Sequence, residues 1–448
     1  MATSSPPLDF KVHRREPELI APAKPTPKEY KLLSDIDDQE GLRVQLPIIQ
    51  FYQHSPSMYG KDPVRVLKEA LAQTLVFYYP FAGRLREGPH RKLIVDCTGE
   101  GLMFIEADAD VTLKQFGDAL QPPFPCLEEL LYDVPGSSGM LNCPLLLIQV
   151  TRLKCNGFIF ALRLKYTMTD GSGITQFLSA VEEIARGRPT PSIPPVWERY
   201  LLMARDPPRV TCKHREYDEV EEALIPNDDI VHRSFFFGPM EVSTLRKLVP
   251  QHLHKSSTFE LLTACLWRCR TIAIQADPEE EVRVMCIVNA RSRFNPPLPL
   301  GYYGNAIAYP VEVAQSGKVC QNPLVYSIEL VKQAKNAVTE EYMKSVADLM
   351  VIKGRPKFSL AKSYLVSDAT RFRLRDIDYG WGKAVYGGPA LGVVASFLIP
   401  FKNKKGVEGI VVPIRLPAQA MKIFVKELEG MLKEKPSERK STIISSSL

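Results

Sequence analysis

The chain has 448 residues, 45% of them hydrophobic and 24% charged, with a formal net charge of +6 at neutral pH. That length exceeds a single usual core, so two domains with large buried interiors are expected, and disordered, collagenous and fibrous classes are excluded. The mild positive charge is dispersed and lacks interleaved aromatics, which argues against nucleic acid as a partner. No window approaches the roughly 18 consecutive apolar residues of a membrane span. The segment Met1 to Asp9 has neither the basic start nor the apolar run of a secretory signal. A soluble intracellular protein without a membrane partner is expected. Nine cysteines occur singly, with no Cys-x-x-Cys pair, as free thiols in a reducing compartment do. Cys265 and Cys269 stand one helical turn apart, a spacing read here as buried packing.

Along the chain, Val64, Leu67, Leu71 and Leu75 share one face, which predicts an amphipathic helix over 63–76 that breaks at Tyr79-Pro80. A strand is expected over Lys92 to Asp96. Two apolar runs, Leu145 to Val150 and Phe158 to Leu164, flank Lys154-Cys155-Asn156-Gly157, and Asn-Gly between such runs predicts a hairpin. The second strand leads directly into Tyr166-Thr167-Met168-Thr169-Asp170-Gly171. After Gly173, apolar residues from Ile174 to Ile184 recur at helical spacing, and the helix should stop near Gly187. Residues 166–171 therefore form a strand-to-helix loop.

From Arg188 the chain is proline-rich and then irregular to about Asp228, the composition of a crossover between halves. We divide it into an N-terminal domain over 1–187, a linker over 188–228 with the boundary near 215, and a C-terminal domain over 229–448 with a polar tail from about 433. Ser257-Thr258-Phe259-Glu260 fits a capping box ahead of an apolar helix. The acidic run Asp277 to Glu281 reads as a solvated loop. Strands are expected over Val282 to Val288, Ala384 to Tyr386, Val393 to Phe401 and Gly409 to Leu416, then a helix from Ala418 to about Leu432. Strands and helices mix in both halves, so the fold class is α/β with two mixed-sheet domains.

Four landmarks now carry a family likeness. Residues 166–171 resemble the His-x-x-x-Asp-Gly motif of BAHD acyltransferases, with Tyr166 at the histidine position. Asp378-Tyr379-Gly380-Trp381-Gly382 resembles their Asp-Phe-Gly-Trp-Gly motif. Gly301-Tyr302-Tyr303-Gly304-Asn305-Ala306 and Asn289-Ala290-Arg291-Ser292-Arg293 match two more, and Leu33-Ser34-Asp35-Ile36-Asp37 extends the likeness over nearly the whole chain. Within the family the chain is most similar to the benzyl alcohol O-benzoyltransferase group and related alcohol acyltransferases of plant specialised metabolism. The resemblance implies two chloramphenicol-acetyltransferase-like domains with a channel between them. It also implies acyl-CoA as co-substrate with no bound cofactor, benzoyl-CoA as the favoured donor, a small alcohol as acceptor, and a monomer.

Ester synthesis from a thioester needs a base for the attacking alcohol, a donor for the oxyanion and a proton for the leaving thiolate. Histidine suits the first task because it titrates near neutrality, whereas tyrosine titrates near 10 and is a hydrogen-bond donor at neutral pH. None of the histidines, including His252 and His254, stands in a comparable loop, and no metal is expected. By the resemblance, Asp170 belongs to the catalytic loop but turns away to pair with Arg291; capping the next helix is a compatible reading. Ser367 falls where relatives carry a hydroxyl near the thioester oxygen. Ser257, Thr258, Arg291 and Arg293 are candidates for the coenzyme, as are Lys402, Lys404 and Lys405 for its phosphates. Asp378, Gly380, Trp381 and Gly382 are assigned a structural role.

Lys165 stands where close relatives usually carry asparagine, and Gly387-Gly388-Pro389-Ala390-Leu391-Gly392 is a shorter loop than that group implies. Three readings are open at this stage. The chain is a working acyl-CoA:alcohol O-acyltransferase, a binding protein built on that fold without turnover, or an enzyme in which Tyr166 serves another reaction such as isomerisation or cyclisation. The ending Ser446-Ser447-Leu448 approximates a peroxisomal address, so peroxisome and cytosol are both expected locations.

Overall fold

The computed structural model describes residues 8–117, 120–221, 229–391 and 395–433. The Ser446-Ser447-Leu448 ending, most of the polar tail and Gly392 lie outside them.

Two seven-stranded mixed sheets organise the chain. In the first, Val12–Arg14, Leu102–Ala109, Leu146–Leu153, Phe158–Lys165, Gln45–Tyr52 and Tyr386–Pro389 follow one another, with Glu18–Ile20 also pairing on Leu102–Ala109. The expected hairpin is present, and Asn156 takes the positive φ of 60° that such a turn requires. Helices Pro63–Phe77 and Gly171–Ala185 cover this sheet, burying Leu67, Leu71, Phe177 and Leu178 completely. Full burial of such a side chain contributes about 1.5–3 kcal/mol each. The second sheet runs Ile230–Phe237, Glu408–Pro417, Ser396–Lys402, Ser363–Asp368, Glu281–Asn289 and Ile307–Ala308, with Val311–Gln315 on the other part of Glu281–Asn289. Helices Thr258–Ile274, Leu324–Ala337, Glu340–Ile352 and Ala418–Leu432 share their apolar core with it. Among the described residues no helix is long and apolar enough to cross a membrane.

The sequential division into domains needs one correction. The strand Tyr386–Pro389, placed in the C-terminal domain by its position in the chain, pairs antiparallel with Ile48–Phe51 in the first sheet. Leu374, Ile377, Tyr379 and Trp381, which precede it in the chain, also pack in the first half's core. The strand also lies later than expected, on Tyr386–Pro389 rather than Ala384 to Tyr386, because its partner fixes the register.

Candidate active site

The strand Phe158–Lys165 ends at a single 3-10 turn, Tyr166–Met168, and the helix Gly171–Ala185 begins three residues later, ahead of the start expected after Gly173. Asp170 sets that start. Its Oδ1 accepts from the backbone N–H of Ser172 and Gly173, both at 3.0 Å, the arrangement of an N-cap. The same carboxylate receives Arg291 in a bidentate pair at 2.7 and 2.9 Å, and Oδ2 also accepts from the Ala306 N–H at 3.0 Å. Capping and ion pairing thus coexist on one buried group.

A second buried carboxylate secures the loop from beneath. Asp37 is fully buried against Arg199, which is 1% exposed, with Nη1 to Oδ1 at 3.1 Å. It also accepts from the backbone and side-chain amides of Asn305 at 2.8 and 3.0 Å. Asn305 then donates to the Tyr166 carbonyl at 2.9 Å, and Arg199 to the Met168 carbonyl at 3.0 Å. The motifs at 33–37, 166–171, 289–293 and 301–306 therefore meet in one polar clasp. Gly304 is required within it, since a Cβ there would sit 1.3 Å from the Arg199 guanidinium.

Above the clasp lies a cavity of about 720 Å³ between the two halves. Tyr166, Asp170, Ser257, Thr258, Arg291, Arg293 and Ser367 all line it, with Leu46, Ile48, Ile287, Phe372 and Phe397 as an apolar wall. Burial pushes the Tyr166 phenol above its ordinary value, with the Asp170 charge adding to the rise. Its polar neighbour is the Tyr309 phenol, which is itself pushed well up by burial and by Tyr166. Tyr309 is held by stacking on Phe358 at 4.7 Å. Ser367 is 3% exposed, and its hydroxyl has no hydrogen-bond partner among the described residues.

One assignment is corrected by this geometry. Arg291 is not free to meet a coenzyme phosphate, because its donors go to Asp170, Asn289 and the carbonyls of Tyr302 and Gly304. Asp170 is paired with Arg291 and caps the helix as expected, and five N–H groups occupy its two oxygens. Ser257 forms the capping box with Glu260, whose carboxylate also pairs with Lys335 at 2.5 Å, and Thr258 opens the helix at the cavity wall. Arg293 is exposed at the rim. Lys402, Lys404 and Lys405 do not line the cavity.

The Asp378 motif lies outside the cavity. Asp378 Oδ1 accepts from the N–H of Gly380 and Gly382 at 2.8 and 2.7 Å, while Oδ2 meets Arg186 at 3.3 Å beyond the end of the helix Gly171–Ala185. Gly380 and Gly382 take φ of 114° and 88°, a region open to glycine. Trp381 packs edge-on against Phe158 at 5.2 Å. This segment braces the strand and helix on either side of Tyr166.

Lys165 is buried at 2% exposure, its ammonium bonded to the carbonyls of Ser137 and Gly139. Burial pulls its pKa below the ordinary lysine value. No His, Cys, Asp or Glu cluster suited to a metal occurs among the described residues. Arg199, Tyr309 and Phe372 carry no recognisable sequence signal, because each acquires its place from partners far away in the chain.

A family model described as Transferase family matches residues 10–431. Benzyl alcohol O-benzoyltransferases of Nicotiana tabacum and Petunia hybrida are each 70% identical over 435 residues, covering 95% of both chains. An alcohol acyl transferase of Malus domestica is 55% identical, covering 94% of each chain. Among solved structures, vinorine synthase superposes with a TM-score of 0.73 at 22% identity over 94% of this chain and 98% of its own. F. sporotrichioides TRI101, crystallised with coenzyme A and T-2, gives 0.70 at 16% identity over 90% and 98%. These two likenesses concern the fold.

Proposed function

Because the chain belongs to the Transferase family, the BAHD acyltransferases, we propose that it is an acyl-CoA-dependent O-acyltransferase making esters of a small alcohol, with benzoyl-CoA the favoured donor. The 70% identity to two benzyl alcohol O-benzoyltransferases over 95% of each chain carries this reading. The cavity supports it: an apolar wall suits an aryl acyl group, Ser367 and Tyr166 offer hydroxyl donors, and Arg293 offers a cation at the rim. Both halves of one chain supply the lining, which supports action as a monomer.

Each step must run without a histidine. The thioester carbonyl is held with its oxygen toward the Ser367 and Tyr166 hydroxyls, where charge develops as the acceptor oxygen attacks. Collapse of that adduct expels the coenzyme thiolate, and the hydroxyl proton of the acceptor reaches it through solvent. A positioned base typically contributes about 10²- to 10⁴-fold, so turnover of an unactivated alcohol should fall short by that factor, leaving positioning and electrostatics to act. The test uses purified full-length protein with benzoyl-CoA or acetyl-CoA and a set of alcohols, reading free thiol and ester together. Equal amounts of thiol and ester, with benzoyl-CoA ahead of acetyl-CoA, are expected. Thiol release without ester, or no release with any acceptor, would remove the reading.

A further inference from the structure

The described residues that face the cavity share a property that bears on the acceptor: no histidine is among them, and each carboxylate and the lysine already has a partner. None of the seven histidines lines it. Tyr166 holds its proton because burial and the nearby Asp170 charge both raise its pKa. Asp170 has its oxygens filled by five N–H donors. Asp368 accepts from the Thr370 N–H and hydroxyl, and its other oxygen faces Arg371 at 3.6 Å. Lys335 is committed to Glu260. Of the lining arginines, Arg291 faces Asp170 and Arg371 faces Asp368, and Arg293 stands exposed at the rim.

A cavity with hydroxyl donors, a cation at the rim and carboxylates already partnered is suited to an acceptor that arrives ionised. We propose that the preferred acceptor is a phenol, attacking as its phenolate, and that Tyr166 donates a hydrogen bond to the thioester oxygen. This rests on the acyl-transfer reading above and narrows its acceptor. A phenol ionises near 10, whereas a hydroxyl of water-like acidity ionises near 15.7, so at a given pH the phenol supplies roughly 10⁵- to 10⁶-fold more anion. If nucleophilicity falls with basicity at a Brønsted slope of about 0.4–0.5, as for thiolates, the net advantage is about 10³-fold. Arg293 at the rim favours entry of the anion, and Phe372 and Phe397 offer the ring an apolar surface.

The step balances without a protein base. The phenolate oxygen forms a bond to the carbonyl carbon, and the carbonyl pair moves onto the oxygen held by Tyr166 and Ser367. When the pair returns, the carbon–sulfur bond breaks and coenzyme A leaves as its thiolate. The proton that the phenol gave to solvent is replaced by one that solvent gives to the thiolate. Tyr166 keeps its proton throughout.

The isomers 4-methylphenol and benzyl alcohol separate acidity from size. With benzoyl-CoA and full-length protein, kcat/KM for 4-methylphenol should exceed that for benzyl alcohol by about 10²-fold or more, after subtraction of the uncatalysed rate. It should also climb about tenfold per pH unit from pH 7 to 9 as the phenolate fraction grows. Tyr166→Phe should lower phenol turnover about 10²-fold through the lost donor, with its melting temperature measured to establish folding. Tyr166→His should raise benzyl alcohol turnover and shrink the gap between the isomers. Benzyl alcohol turned over as well as 4-methylphenol, or full phenol turnover by a folded Tyr166→Phe protein, would overturn the proposal while leaving acyl transfer intact. Silence with both acceptors would remove acyl transfer itself and this inference with it.

Discussion

The two faces of the loop at 166–171 differ sharply. Below, Asp170, Arg291, Asp37, Arg199 and Asn305 form a dense network in which most donors and acceptors are matched. Above, Tyr166 and Ser367 present hydroxyls to an apolar-walled cavity, and Tyr309 is the polar neighbour of Tyr166. The lower face specifies a backbone path, whereas the upper face specifies a chemistry. Because the loop is held through main-chain carbonyls of Tyr166 and Met168, the side chain at 166 is free to differ without loss of that path. A changed reactive group on an unchanged frame is the result.

Breaking the lower face should have the largest effect. Arg199→Met strands the fully buried Asp37 carboxylate, and removal of one partner from a buried pair costs about 3–5 kcal/mol; urea denaturation should show a lower midpoint. If the midpoint does not move, the clasp is not what holds the loop. On the upper face, Tyr166→His should leave the unfolding free energy within about 1 kcal/mol of its starting value, as expected for a change away from the packed network. Its alcohol turnover should acquire an acid limb centred near 6.5. The sign follows from the neutral imidazole being the base, so the rate rises with pH through that value. The parent has no such limb, because Tyr166 keeps its proton across this range.

A smaller effect is expected at Ser367→Ala, a loss of about 10-fold to 10²-fold in kcat with little change in KM, at or below the range seen for loss of one oxyanion donor. A rise in KM alone would make Ser367 a binding group. Smallest is Arg293→Ala at the rim, where an exposed ionic contact to the coenzyme should raise its KM a few-fold and leave kcat unchanged, with the effect fading at high salt.

Much of this organisation is legible in the sequence because it is local. The helices at 63–77 and 171–185, the hairpin around Asn156-Gly157 and the capping box at Ser257 each follow from periodicity or turn chemistry within a few residues. The strand Gln45–Tyr52 has no clear signal, since Pro47 interrupts an apolar run. The sheet tolerates it next to the short end strand Tyr386–Pro389. Asp170 illustrates a further limit: its position announced a cap and a partner, but only the fold shows that both uses fill the carboxylate. Arg291 carried two expectations, of which the pairing with Asp170 holds and the phosphate contact does not, since its donors are taken up within the clasp.

The strand Tyr386–Pro389 has a consequence for how the molecule comes apart. It ties a segment near the C-terminal end of the chain into the sheet of the N-terminal half, with Tyr379 and Trp381 anchored in that half's core. A protease cut within the proline-rich stretch after Arg188 would leave two fragments still laced together rather than two free lobes. For the same reason, either fragment made alone lacks an edge the other supplies, and the pair is suited to reconstitution by co-expression, with recovered activity reporting reassembly.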